Sequence, residues 1–181
     1  MKLLLTLVTS LVLSVNALAT PIPVPPPDTQ APGYYRLILG KLRIPAVPDG
    51  TVTIPLDKLL PHIPADKLRQ QLAKDSLTPH TETSINAFVI DNGQQRVLVD
   101  AGAGDLFGNN GGQLLENLAA AGYPAETIDA VLLTHIHADH SGGISRQGKP
   151  AFPNAQVFVE QKDADFWLNP ANASKVEDSQ K

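Results

Sequence analysis

The chain has 181 residues, 43% hydrophobic and 18% charged, with a formal net charge of −4. That is enough for one globular domain with a real core, and it argues against a disordered or collagen-like chain. No basic run marks a nucleic-acid partner, and with no cysteine any metal site must use nitrogen and oxygen donors.

The first residues read as an export signal. Met1-Lys2 carries positive charge, Leu3 to Val15 is apolar, and Ala17-Leu18-Ala19 is a small-x-small cleavage site. Residues 1–19 are therefore expected to be a signal peptide, with a secreted or periplasmic product. The apolar run is short for a membrane span, and Pro21 follows it closely. No stable membrane association is expected after cleavage. Residues 20–33 hold six prolines and predict an extended linker. The folded part is expected over 34–181.

Tyr34 to Leu39 and Lys41 to Val47 read as strands broken at Gly40. Asp49-Gly50 signals a turn, followed by a short strand over Thr51 to Ile54. Pro64 to Lys74 suits a helix with Leu68 and Leu72 on one face. Ser84 to Ile90 and Gln95 to Asp100 form a hairpin joined through Asn92-Gly93. Gly102 to Gly112 is glycine-rich and irregular. Gln113 to Ala121 predicts a helix that stops at Gly122. Ala130 to Leu133 fits a strand buried on both faces, Gln156 to Val159 another strand, and Gln161 to Leu168 a helix. Strands followed by helix and strand predict a layered α/β architecture.

The most informative stretch is Thr134-His135-Ile136-His137-Ala138-Asp139-His140. It sets three of the chain's five histidines beside one carboxylate. Such side chains bind a borderline metal such as zinc. In extended backbone, residues two apart point the same way. His135 and His137 are thus expected to converge on one metal while Ile136 turns into the core. A bend then lets Asp139 and His140 reach a second. Two neighbouring divalent ions can make a shared water nucleophilic at neutral pH. An isolated histidine is more often structural, and His62 and His80 are read that way.

The segment "THIHADHSGG" over Thr134 to Gly143, with "VLVDAG" over Val97 to Gly102, resembles the metallo-β-lactamase superfamily. Further stretches, such as "YYRLILGKLRI", "ETSINAFVI" and "GDLFG", resemble its methyl parathion hydrolase-like phosphotriesterases. The resemblance implies an αββα sandwich of which this chain is the N-terminal half only. It implies two divalent ions, zinc by default, with His135 and His137 on the first and Asp139 and His140 on the second. Asp100 would support the ligand loop from behind. Asp139 would also orient the nucleophile and accept its proton. Phe107 and Trp167 match aromatic positions that line the substrate pocket, against the plainer reading of ordinary packing.

The implied activity is hydrolysis of a neutral small-molecule ester by a metal-bound hydroxide, an organophosphate triester first and an acyl homoserine lactone-type substrate second. No histidine follows His140. The later ligands of the family are therefore missing, and an inactive fragment is the alternative. Half a sandwich would expose an apolar sheet face, which a homodimer is one way to cover. A dinucleotide loop at Asp100 to Gly108 is disfavoured, because the spacing is G-x-G-x-x-x-G and only a hairpin precedes it.

Overall fold

The computed structural model describes residues 33–176. The expected signal peptide, and all of the proline-rich linker except Gly33, lie outside the described residues. Among the described residues, no helix is long and apolar enough to cross a membrane.

The strands are β1 (Tyr35–Leu39), β2 (Leu42–Pro55), β3 (His80–Asp91), β4 (Arg96–Val99), β5 (Ala130–Leu132), β6 (Ser145–Arg146), β7 (Lys149–Pro150) and β8 (Gln156–Phe158). The α-helices are α1 (Leu56–Leu59), α2 (Ala65–Leu72), α3 (Leu114–Ala121), α4 (Ala138–Ser141) and α5 (Gln161–Trp167). A six-stranded sheet runs in the order β1-β2-β3-β4-β5-β8, and β6 and β7 form a separate small ribbon. Pairing is antiparallel from β1 to β4 and parallel from β4 through β5 to β8. The mixed α/β architecture follows the sequence expectation.

Alternation in β3 decides which face is covered. Ile85, Ala87, Val89 and Asp91 are buried, while the residues between them are exposed. Against this face lies α3, whose Leu114, Asn117, Leu118 and Ala121 follow helical spacing and are all buried. Val47, Leu98, Val131 and Ile128 complete the core. Gly122 ends α3 in the left-handed region at φ +92°, a conformation that costs glycine little.

The other face is open. Phe88 pairs with Val99, Val99 with Leu132 and Leu132 with Phe158, so these residues form one apolar row across four strands. Phe88, Leu132 and Phe158 are 43%, 46% and 49% exposed. Here the expectation for the strand before the histidines fails. Val131 is fully buried, but Leu132 faces the uncovered side.

A second correction concerns Asp49-Gly50. It does not end a strand. β2 continues through it with a bulge between Pro48 and Gly50. The bulge turns Asp49 inward to full burial, where its carboxylate replaces water for four main-chain donors. Oδ2 accepts from Ala103 and Gly104 at 2.9 and 3.2 Å. Oδ1 accepts from Gly112 and Leu114, each at 3.0 Å. A residue that resembled a loop signal is therefore the anchor of the glycine-rich segment.

Candidate metal centre

The site lies where β4 and β5 end side by side. Asp100, just past β4, has φ +60°. Left-handed backbone is strained for most side chains, but aspartate tolerates it better than most. The conformation aims its carboxylate across to the segment after β5. There Oδ1 accepts from the Thr134 amide at 2.8 Å, and the Thr134 hydroxyl lies 3.0 Å from both carboxylate oxygens. His140 Nδ1 reaches Oδ2 at 2.9 Å.

These contacts assign the proton positions on two imidazoles. His140 donates from Nδ1 to Asp100, so its Nε2 carries the free lone pair. The Thr134 hydroxyl donates to Asp100 and accepts from His135 Nδ1 at 3.0 Å. His135 therefore also presents Nε2. One carboxylate orients both rings, directly for His140 and through a hydroxyl for His135.

These Nε2 atoms then take part in two close pairs. His135 Nε2 stands 3.0 Å from His137 Nδ1. His140 Nε2 stands 3.3 Å from Asp139 Oδ2. Two ligands of a tetrahedral zinc ion lie about 3.3 Å apart. Both pairs thus have the atom types and spacing of two donors on one ion. The grouping goes no further. Among the described residues, no three His, Asp or Glu side chains gather into a set that could hold a metal ion.

Burial, and then the neighbouring His140 and His137, hold the His135 imidazole below the usual histidine range, with Asp100 and Asp139 opposing. A ring kept neutral is ready to coordinate.

The local backbone differs from the extended run expected. It bends at Thr134 and His135, and Ile136 is only half-buried. The bend is held by a contact from outside the motif. The Ile136 amide donates to Asp163 Oδ2 on α5 at 2.6 Å. α4 then starts after His137, whose carbonyl accepts from the amides of His140 and Ser141 at 3.0 and 2.9 Å.

Close approach of a second loop explains Gly142-Gly143. The Ala101 amide donates to the His140 carbonyl at 2.7 Å, and Gly143 to the Gly102 carbonyl at 3.0 Å. A Cβ on Gly142 or Gly143 would overlap the carbonyl of Ala103 or Ala101. The glycine-rich segment and the turn after α4 therefore fit only as bare backbone.

Trp167 of α5 meets the His137 ring edge-on, with centroids 5.4 Å apart. It stands beside the candidate centre. Phe107 is half-buried in the 3-10 segment Gly104–Asn110, which packs against α4, and it stacks on none of the three imidazoles. His80 lies apart, 3.8 Å from Asp57, and His62 is exposed. Sequence reading missed Asp163 and Asp49. Asp163 left the faint signal of an acid in the first turn of a predicted helix.

Residues 80–169 match the family model of the Metallo-beta-lactamase superfamily. Among solved structures, the chain is similar to a hydrolase called AbOPH, described as in the beta lactamase superfamily. Identity is 40% and the TM-score 0.77, over 82% of this chain and 52% of that one. It is also similar to AidC, a dizinc quorum-quenching lactonase in complex with a product, at 31% identity and TM-score 0.72, over 76% of this chain and 48% of that one. A curated relative is the exodeoxyribonuclease WalJ of Streptococcus pneumoniae, 28% identical over 99 residues, 55% of this chain and 34% of that protein. The chain spans about half the length of the two solved structures and about a third of the nuclease. Over residues 80–169, the chain is similar to the metallo-β-lactamase superfamily.

Proposed function

We propose that this chain carries the ligand loop of a metal-dependent hydrolase of small neutral esters, exported through residues 1–19. The observation that carries this reading is the double pair: His135 Nε2 facing His137 Nδ1, and His140 Nε2 facing Asp139 Oδ2. In this reading His135 and His137 hold one divalent ion, and Asp139 and His140 a second, zinc being the default for these donors. Such ions, when bound, supply Lewis acidity toward a phosphoryl or carbonyl oxygen and make water nucleophilic at neutral pH.

The protein's own residues supply orientation and proton handling. Asp100 and Thr134 keep the Nε2 atoms of His140 and His135 unprotonated and aimed forward. Asp139, whose side chain is 40% exposed, accepts the proton of the attacking water. Trp167 walls the His137 side with a flat apolar surface suited to an aryl or acyl group.

An aryl phosphotriester is the first substrate class, because an aryloxide leaves without a general acid. A lactone is the second, favoured by the similarity to the lactonase AidC. The acidic balance of the chain supports small neutral substrates over nucleic acid.

The test measures metal content after gel filtration, then hydrolysis of diethyl p-nitrophenyl phosphate and N-hexanoyl homoserine lactone, in the parent and in His135→Ala. Retained zinc, with turnover lost in the variant, supports the reading, and the faster substrate names the class. A chain that keeps no zinc and cleaves neither ester overturns it.

A further inference from the structure

α5 touches the ligand turn at two points. Asp163 accepts from the Ile136 amide at 2.6 Å, and Trp167, one helical turn later, meets the His137 ring. Ile136 is the residue between the two histidines, so the Asp163 bond holds the His135–Ile136 peptide plane, next to the Cα of His135 and one residue before His137. Nothing in the local sequence supplies this. Asp100, on the other side, serves Thr134 and His140 and makes no hydrogen bond to the amide of Ile136.

The bend also leaves an amide that the sheet does not serve. β5 ends at Leu132, and its parallel ladder to β8 stops at Phe158. Beyond Leu133, whose amide still donates to the Phe158 carbonyl, the main chain of the turn has left the sheet. A half-buried amide at that point takes a side chain or water as its partner. Asp163 meets that need from a separate element.

We propose that Asp163 is a positioning residue that sets the His135–His137 pair by holding the Ile136 amide. It touches neither imidazole and acts only through the main chain. The consequence for metal rests on the reading of these histidines as ligands, whereas the consequence for the turn does not. An acceptor is what the position requires, so asparagine should serve nearly as well as aspartate, and alanine should not.

The experiment compares the parent with Asp163→Asn and Asp163→Ala. Amide hydrogen exchange over residues 134–137 is read without added metal, and zinc affinity by competition with a chromophoric chelator. The expected result is exchange at Ile136 at least about tenfold faster in the alanine variant, and zinc held roughly tenfold or more weaker, with asparagine close to the parent in both. Should Asp163→Ala not fold, Asp163→Thr, too short to reach the amide, takes its place. Equal exchange in parent and truncated variant overturns the proposal, as does an asparagine variant as loose as alanine. A parent that binds no zinc removes the metal reading alone, because the exchange comparison still decides the role of Asp163.

Discussion

The carboxylate of Asp100 and the imidazole of His140 meet at 2.9 Å across 40 residues of sequence. The same carboxylate takes the amide and hydroxyl of Thr134. All three partners are donors, so an acceptor-only group is required. Asp100→Asn keeps tolerance for the φ of +60° but turns an NH2 group toward a donor. The variant should lose about 1–3 kcal/mol in urea unfolding and hold zinc roughly 10- to 100-fold more weakly. An asparagine variant with parental stability and parental zinc affinity would show that the orientation of His140 comes from elsewhere.

Asp49 presents a sharper case, because its four main-chain donors are drawn from Ala103, Gly104, Gly112 and Leu114. Asp49→Ala leaves these amides without their acceptor in a closed interior. The expected loss is about 3 kcal/mol or more, among the larger values for single substitutions. Urea denaturation followed by circular dichroism measures it. A loss below about 1 kcal/mol would mean that the glycine-rich segment finds other partners.

Acid sensitivity should trace partly to Asp91. The Gly93 amide first, then the Tyr123 hydroxyl and the charges of Arg43 and Arg96, hold its carboxyl below the usual aspartate range, against a burial effect that raises it. The folded value lies below the unfolded one, so the unfolded state binds the extra proton. Asp91 therefore contributes stability that is complete above the ordinary aspartate pKa and is lost as pH falls through the folded value. Tyr123→Phe removes one donor at 3.1 Å and should flatten this acid limb. Unfolding midpoints of parent and variant between about pH 2 and 6 give the comparison, and parallel curves would exclude the pair as a contributor.

The apolar row on the uncovered sheet face predicts dye binding. Leu132→Lys and Phe158→Lys place charge where side chains are already about half exposed. Each should lower the fluorescence of bound anilinonaphthalene sulfonate while changing unfolding free energy by only about 0.5 kcal/mol, as at ordinary surface positions. A loss of several kcal/mol would show that the row is covered in solution.

What the sequence made legible was local. The alternation of β3, the helical spacing of Leu114 to Ala121 with its stop at Gly122, and the H-x-H-x-D-H cluster each depend on neighbours within a few residues. The misread places depend on distant partners. Asp49 has the local chemistry of a turn residue, and only the approach of residues 103–114 makes it a buried anchor. Leu132 looks like the core residue Val131, because sequence does not say which sheet face is covered. The bend at Thr134 and His135 and the placement of Ile136 meet Asp100 and Asp163, 34 and 27 positions away from the groups they accept from.

The parallel pairing of β4 with β5 sets an order of assembly. The two strands are joined through a helix and a long connection, and only their alignment brings Asp100 beside Thr134. Parallel contacts of this separation form slowly. A newly made chain thus has all four candidate donors within six residues long before any of them is oriented. An ion encountered early meets flexible imidazoles, and a shaped site arises only after the sheet has closed. On the proposed reading of these side chains as ligands, metal capture is expected to follow the tertiary structure instead of templating it.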